Sequence, residues 1–282
     1  MTAALPAPLA TRYAETGILF PRPAVGAAEA SGLLEKFEAL EKREGGKLSR
    51  STNHKPHLLL CWLADLIRDA RILDQVESVL GPDIFCWATD FFVKNPGDRM
   101  RVTWHQDSTY WGLSKPDIVT AWVALTPSTV ESGCMRVIPG SHLKDQLPHR
   151  DTFSGNNLLS RGQEVEVEVD EGQAVDVTLA PGEMSLHHVR LIHGSEPNRS
   201  GHRRIGYAVR YIAAHVHQLS GIPDAATLVR GHDRYGNFTH EPRPASDFHP
   251  DAVAFHTKIY EAQMNIIYAG AAARPDRETT GG

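Results

Sequence analysis

The chain has 282 residues, of which 41% are hydrophobic and 22% charged, and a formal charge of -5. It carries no basic stripe to meet a phosphate backbone, which argues against nucleic acid. No run approaches the roughly 18 apolar residues of a bilayer span, which argues against a membrane partner. Cys61, Cys86 and Cys134 are widely spaced with no C-x-x-C among them, and read as reduced thiols of a cytoplasmic protein. The opening MTAALPAPLATRYAETG lacks the basic-then-apolar pattern of a secretory leader.

Up to about residue 80 the chain reads as helical. AAEASGLLEKFEALEKRE places Leu33, Leu34, Phe37 and Leu40 at spacings of three and four, an amphipathic helix. LLLCWLADLIRDARILDQVESVLG continues as one or two helices ending at a Gly81 C-cap, and Pro56 marks a break before it in the polar LSRSTNHKPH. After Gly81 the texture changes to β-branched and aromatic. DIFCWATDFFVK runs into the turn NPGD, and further strand candidates follow: RVTWHQD, DIVTAWVALTP, CMRVIPG, QEVEVEV, AVDVTL, EMSLHHVRLIH and RRIGYAVRYI. EVEVEV alternates with period two, predicting one buried and one wet face. Residues 140–162 form a long loop of the kind that often carries function. Residues 220–250 read as loop, and DAVAFHTKIYEAQMNIIYAG as a final helix. The expected organisation is a single domain over 1–270, with a helical layer to about 80, a β sandwich or barrel over about 81–215, loops and a helix to 270, and a disordered tail at 271–282.

Within VTWHQDSTYW, His105 and Asp107 stand two apart, and such residues of a strand share a face. An imidazole and a carboxylate on one edge are two ligands of a divalent metal. Alone, such a pair is more often a surface hydrogen bond. The segment LHHVRLIHGSEPNRSGHRRIGYAVRYI changes the weighting. It reads as strand, turn, strand, and a turn centred between Asn198 and Arg199 sets His193 directly opposite Arg204; a slip of one residue would select Arg203 instead. Two histidines and one carboxylate form the facial triad of non-haem iron(II) oxygenases, with positions left for a chelating keto acid and dioxygen. A guanidinium beside the site gives the far carboxylate of that keto acid a bidentate partner.

WHQDSTYW, TAWVALTPSTVESGCMRVIPGSH and LAPGEMSLHHVRLIHGSEPNRSGHRRIGYAVRYI together resemble the phytanoyl-CoA dioxygenase family, iron(II)- and 2-oxoglutarate-dependent oxygenases. The resemblance covers roughly residues 80–215, and the N-terminal helices more loosely. It implies a mainly β double-stranded β-helix, or jelly roll, with helices packed on one side. It implies iron ligands His105, Asp107 and His193, Arg204 on the distal carboxylate of 2-oxoglutarate, and Ser195 as a second contact there. Lys94, Gln106 and Trp122 stand where the family lines the co-substrate pocket, although Trp122 reads equally well as core. Related halogenases lack the carboxylate ligand, so Asp107 points to oxygen insertion. The implied reaction consumes O2 and 2-oxoglutarate, releases succinate and CO2, and hydroxylates a C–H bond.

The substrate side is read from polar patches. His187 lies six before His193, on the same face of one strand, and is either a pocket residue or a packed histidine. His188 faces the other way, His142 sits in the turn PGSH, and the two-apart pair His215 and His217 follows the last core strand; these read as structural. Asn53, Lys55 and His57, with Arg50 and His54, form one polar cluster; Asn156, Asn157, Arg161 and Gln163 in the long loop form another. Tyr110 and Trp111 offer a pocket wall or an aromatic face for a substrate ammonium. These features point to a small hydrophilic, anionic metabolite, and the similarity to bacterial members of the family points to an aminophosphonate or amino-acid-like compound. Desaturation, epoxidation or ring formation with the same cofactors stays open, as does a monomer or homodimer. A non-catalytic ligand-binding jelly roll would be expected to have lost a ligand or the arginine. A zinc hydrolase using the same ligands gives no reason for Arg204.

Overall fold

The structure is a computed structural model and describes residues 8–272, so the tail expected to be disordered lies outside the described residues from 273 onward. In chain order the helices are α1 (Leu9–Thr16), α2 (Ala27–Arg43), α3 (Arg50–Asn53), α4 (Cys61–Leu66), α5 (Ala70–Leu80) and α6 (Pro250–Ile267). The strands are β1 (Ile18–Pro23), β2 (Ile84–Lys94), β3 (Val102–His105), β4 (Ile118–Ala124), β5 (Met135–Val137), β6 (His149–Arg150), β7 (Glu164–Val165), β8 (Val175–Val177), β9 (Glu183–His188), β10 (His193–Ser195), β11 (Arg204–Ala213), β12 (Ala225–Arg230) and β13 (Thr239–His240). They form a major seven-stranded sheet in the order β1-β9-β4-β11-β2-β12-β13, a minor four-stranded sheet in the order β3-β10-β5-β8, and a separate pair, β6-β7. This is the expected jelly roll with flanking helices. Among the described residues no helix is long and apolar enough to cross a membrane.

Strand β11 is central, and all ten of its residues are buried. One face of the major sheet meets the helices. There Phe37 of α2 packs on Phe91 at 4.6 Å between ring centroids, and Ile72, Leu73 and Val76 of α5 join Tyr207, Val209 and Tyr211 in one apolar cluster. Helix α5 starts where Asp69 accepts a hydrogen bond from the Arg71 backbone N–H at 2.9 Å, and it stops at Gly81, whose φ of 84° suits glycine. The other face meets the minor sheet through Trp122, Ala124 and Ala208 against Val137, Val177 and Leu191.

Several segments differ from the sequence reading. β1 lies in the region read as helical and extends the sheet; ILFPRP is short and interrupted by prolines, which an edge strand tolerates. β12 falls where loop was expected. AATLVR is a short run of small and aliphatic residues before Arg230, amid Gly, Pro and Asp, yet Ala225 and Ala226 are fully buried beside β2. Only Glu164–Val165 of QEVEVEV is a strand, pairing with β6; its valine side is only partly covered, and Val167 is 38% exposed. EMSLHHVRLIH is two strands in two sheets, with the crossing at residues 189–192 held by hydrogen bonds from Asp107 N–H to Val189 O and from Ile192 N–H to Ser141 Oγ.

The polar cluster read near Pro56 is an internal brace on the helix side of the sheet. Asn53 clamps β2 through both amide atoms, to Phe91 O and Phe91 N–H. Lys55, fully buried, donates to Glu241 Oε1 at 2.6 Å and Ala225 O at 2.8 Å. His57 bonds Thr89 Oγ1 at 2.8 Å and faces Glu241 Oε2 at 3.2 Å, while Thr227 donates to the same oxygen at 2.7 Å. Asn53, Lys55 and His57 are therefore spent on the fold and not on a substrate. Burial alone would raise the Glu241 carboxyl, but Lys55 and the His57 hydrogen bond hold it down to about 2. Replacing Glu241 with alanine leaves a buried ammonium unpaired, and the expected loss is about 3–5 kcal/mol in urea unfolding. The unfolded chain takes up the Glu241 proton first, near the ordinary 4.5. Its stabilising contribution is therefore complete above that pH and drains as pH falls toward about 2. Unfolding midpoints measured down this range should show a shallower acid slope in Glu241→Gln than in the parent.

Candidate metal centre

β3 ends at His105, and the residue directly opposite it on β10 is His193. The two imidazoles are thus cross-strand neighbours, with ring centroids 4.1 Å apart. Asp107 lies just beyond the strand, at the head of a 3-10 turn spanning Asp107–Tyr110. Its Oδ1 is 3.3 Å from His105 Nε2 and 3.8 Å from His193 Nε2. One ligand atom from each of these residues lies within 4.8 Å of the others, and they are the only such group of three among the described residues. His215 instead pairs with Asp117 at 2.8 Å.

Backbone carbonyls orient both rings. His105 Nδ1 lies 2.9 Å from Thr103 O and 3.0 Å from His193 O, and His193 Nδ1 lies 2.9 Å from Leu191 O. A carbonyl only accepts, so each Nδ1 carries a proton and Nε2 is the ring nitrogen turned toward Asp107. Burial, then the neighbouring His105, pushes His193 down to about 3, which keeps it neutral. Burial alone would raise Asp107, but its hydrogen bond to His105 and the nearby His193 and Arg210 hold it well below the usual carboxylate range. Two imidazoles and a carboxylate gathered on one wall of a cavity fit a divalent iron with its remaining positions open.

That cavity lies between the sheets. At one end stands Arg204, 3% exposed. It donates through Nη1 to Gly133 O at 2.7 Å, lies 5.2 Å from the Trp122 ring centroid, and has an Nε with no hydrogen-bond partner. The indole lies flat over Gly206, where an added Cβ would come within 1.9 Å of a ring carbon. Trp122 and Ser195 both line the cavity. Lys94 and Gln106 do not. Lys94 stands behind Ser195, donating to its Oγ at 2.6 Å, and burial followed by the Arg204 charge pushes it down to about 6. Gln106 faces away, as the residue between two that face inward must. It donates to Arg190 O at 2.8 Å and accepts from Leu147 N–H at 2.8 Å.

Arg204 is not the cross-strand neighbour of His193. It pairs with Lys94 in the major sheet, while His193 belongs to the minor sheet. The segment read as a hairpin turn crosses between sheets, and Asn198 holds it there by donating to Lys94 O at 3.1 Å and His202 O at 2.8 Å. The two residues still meet, across the cavity rather than along a ladder. His187 likewise sits on a different strand from His193, yet it lines the cavity with Nε2 3.9 Å from Asp107 Oδ2. His188 accepts the Arg190 N–H at 3.0 Å and lies 5.0 Å from His142, so both serve the fold.

The second polar patch ties down the long loop. Arg161 donates to Asp151 and to Ile267 O, and its guanidinium lies 3.5 Å from the Tyr110 ring centroid. Gln163 Oε1 accepts the Arg161 backbone N–H at 3.3 Å. Arg161, Gln163 and Tyr110 therefore do not line the cavity; the loop reaches it through Leu159. The polar side chains of the cavity missing from the sequence reading are Thr120 and Arg210. Period two along RIGYAVRYI was the available signal, since it puts Arg204, Gly206, Ala208 and Arg210 on one face.

A jelly roll whose two sheets enclose a His-Asp-His centre defines a class, the non-haem oxygenases that work with Fe(II), 2-oxoglutarate and O2. Residues 13–206 match the family described as phytanoyl-CoA dioxygenase (PhyH). The chain belongs to that family. A relative from Stutzerimonas stutzeri, named "Probable alpha-ketoglutarate-dependent hypophosphite dioxygenase", is 32% identical over 185 residues, 64% of this chain. The chain spans 64% of that relative's length. The human peroxisomal phytanoyl-CoA dioxygenase is 25% identical over 233 residues, 73% of this chain and 68% of that one. The structure of a non-heme monooxygenase, ThoJ in its apo form, is 36% identical with a TM-score of 0.83, covering 92% of this chain and 97% of that one. Removing one ligand, in Asp107→Ala or His193→Ala, should weaken Fe(II) binding by more than the roughly 10–100-fold typical of losing an outer-shell partner. Anaerobic calorimetry of the metal-free protein checks this.

Proposed function

We propose that this chain is an Fe(II)- and 2-oxoglutarate-dependent dioxygenase that hydroxylates a C–H bond of a small anionic metabolite, releasing succinate and CO2. An aminophosphonate or amino-acid-like compound is the substrate class we favour. One observation carries the reading: the His105, Asp107 and His193 centre shares its cavity with a buried arginine, Arg204, whose Nε is unpartnered. A buried donor left without an acceptor is costly, and a ligand carboxylate relieves it.

Bound iron supplies the oxygen-activating and C–H-oxidising chemistry. The protein's residues hold, orient and exclude. His105, Asp107 and His193 take the metal from one side. Arg204 and Ser195 take the far carboxylate of 2-oxoglutarate, with the guanidinium laid against Trp122 so that its fork has one orientation. Lys94 positions the Ser195 hydroxyl from behind. Phe92, Met135 and Leu159 give the cavity apolar walls that keep water out and leave room for a small substrate only. A relative named for hypophosphite, a small phosphorus oxyanion, supports the anionic substrate class. Three free cysteines, Cys61, Cys86 and Cys134, support a cytoplasmic setting.

Anaerobic addition of Fe(II) and 2-oxoglutarate should raise the weak visible charge-transfer band of a chelated keto acid. Arg204→Met should keep the band but need roughly 10–100-fold more 2-oxoglutarate, as expected for losing a charge-assisted hydrogen-bonded pair. Metal binding by the parent without any band would overturn the reading.

A further inference from the structure

One row of cross-strand partners runs across β9, β4 and β11: His187 opposite Thr120, and Thr120 opposite Arg210. All three line the cavity, and they are 3%, 2% and 9% exposed. His187 Nδ1 and Thr120 Oγ1 have no hydrogen-bond partner. Arg210 makes one hydrogen bond among the described residues, from Nη1 to Asp90 Oδ2. Its guanidinium lies 5.4 Å from the Trp111 ring centroid and 6.0 Å from that of Phe92, which leaves further N–H groups to offer a ligand. A cation, a hydroxyl and an imidazole nitrogen in line, none fully satisfied, make an oxyanion site lacking its anion.

Arg204 does not serve the same ligand. Six residues of extended strand separate it from Arg210, roughly 20 Å between backbones. Gly206, covered by the Trp122 ring, and Ala208, which lines the cavity, lie between them on the same face. A five-carbon diacid chelating a metal on the facing wall does not reach both cations.

Resting on the oxygenase reading above, we propose that Arg210, Thr120 and His187 anchor the oxyanion of the substrate, a phosphonate or carboxylate, while Arg204 anchors the co-substrate. Asp90 is the counter-ion that holds the guanidinium ready when no substrate is bound.

The test uses the anaerobic protein loaded with Fe(II) and 2-oxoglutarate, titrated by calorimetry with methylphosphonate and, separately, with acetate. The parent should bind at least one of them; the tighter one tells a phosphorus oxyanion from a carboxylate. Arg210→Met should weaken that binding by at least roughly 10-fold, and Thr120→Val by a few-fold. Asp90→Asn keeps the shape but removes the competing charge, and should tighten it. The charge-transfer band and the 2-oxoglutarate affinity should be unchanged in Thr120→Val and Asp90→Asn, and these two variants carry the test if Arg210→Met does not fold. Binding of neither anion by the parent overturns the assignment. So does equal binding by Arg210→Met, or a loss in Asp90→Asn, which would mark the pair as a brace. A parent without the band would instead sink the oxygenase reading itself.

Discussion

The centre depends on where two protons sit. His105 and His193 each give their Nδ1 proton to a main-chain carbonyl, and this alone decides that Nε2 faces Asp107. The carbonyls cannot move independently of the ligands. His105 Nδ1 reaches the carbonyl of His193 itself, so pairing β3 with β10 and aiming one ring are the same event. Asp107 joins through its own backbone, whose N–H bonds Val189 O in the crossing segment. Breaking EMSLHHVRLIH into two strands is therefore required by the site: an unbroken strand would keep Val189 and His193 in one sheet and leave Asp107 without that anchor.

Around this wall the major sheet divides its labour by strand parity. On β11 the odd positions Tyr207, Val209 and Tyr211 pack into the helical layer. The even positions face the other way: Arg204, Ala208 and Arg210 floor the cavity, and Gly206 lies beneath the Trp122 ring. The small pair in the middle is what lets Trp122 lie flat and what leaves volume between the two arginines. The helices contribute nothing to the cavity lining. They cover the other face of a sheet that must be rigid where its inner face is polar.

The cluster of His105, Asp107 and His193 was legible because it rests on short-range rules. Two-apart residues point one way at a strand end, and the family resemblance names the third ligand. Arg204 was found by an argument that fails in detail. A hairpin was assumed, and the chain instead crosses between sheets, held by Asn198; nothing in EPNRSG distinguishes the two connections. The polar patches failed for a different reason. Asn53, Lys55, His57, Arg161 and Gln163 look solvated in sequence, since charged residues are seldom buried. Their partners, such as Glu241 for Lys55 and Asp151 for Arg161, come from other parts of the chain or from geometry that no local pattern records. Arg210 was readable by parity alone but stood too close to core residues to attract notice.

The sheet thus separates two buried polar systems of opposite character. On the helix side, Lys55, His57, Thr89, Thr227 and Glu241 close on one another, and each named side chain has a partner. Such a set fixes structure and has nothing left to offer a ligand. On the cavity side, Arg204 Nε, Thr120 Oγ1 and His187 Nδ1 are buried just as deeply and lack partners. Packing gives no reason to retain these groups unpaired, because leaving them so weakens the fold. Their persistence beside a metal centre is accounted for if the free energy they forgo in folding is recovered when the co-substrate and substrate bind.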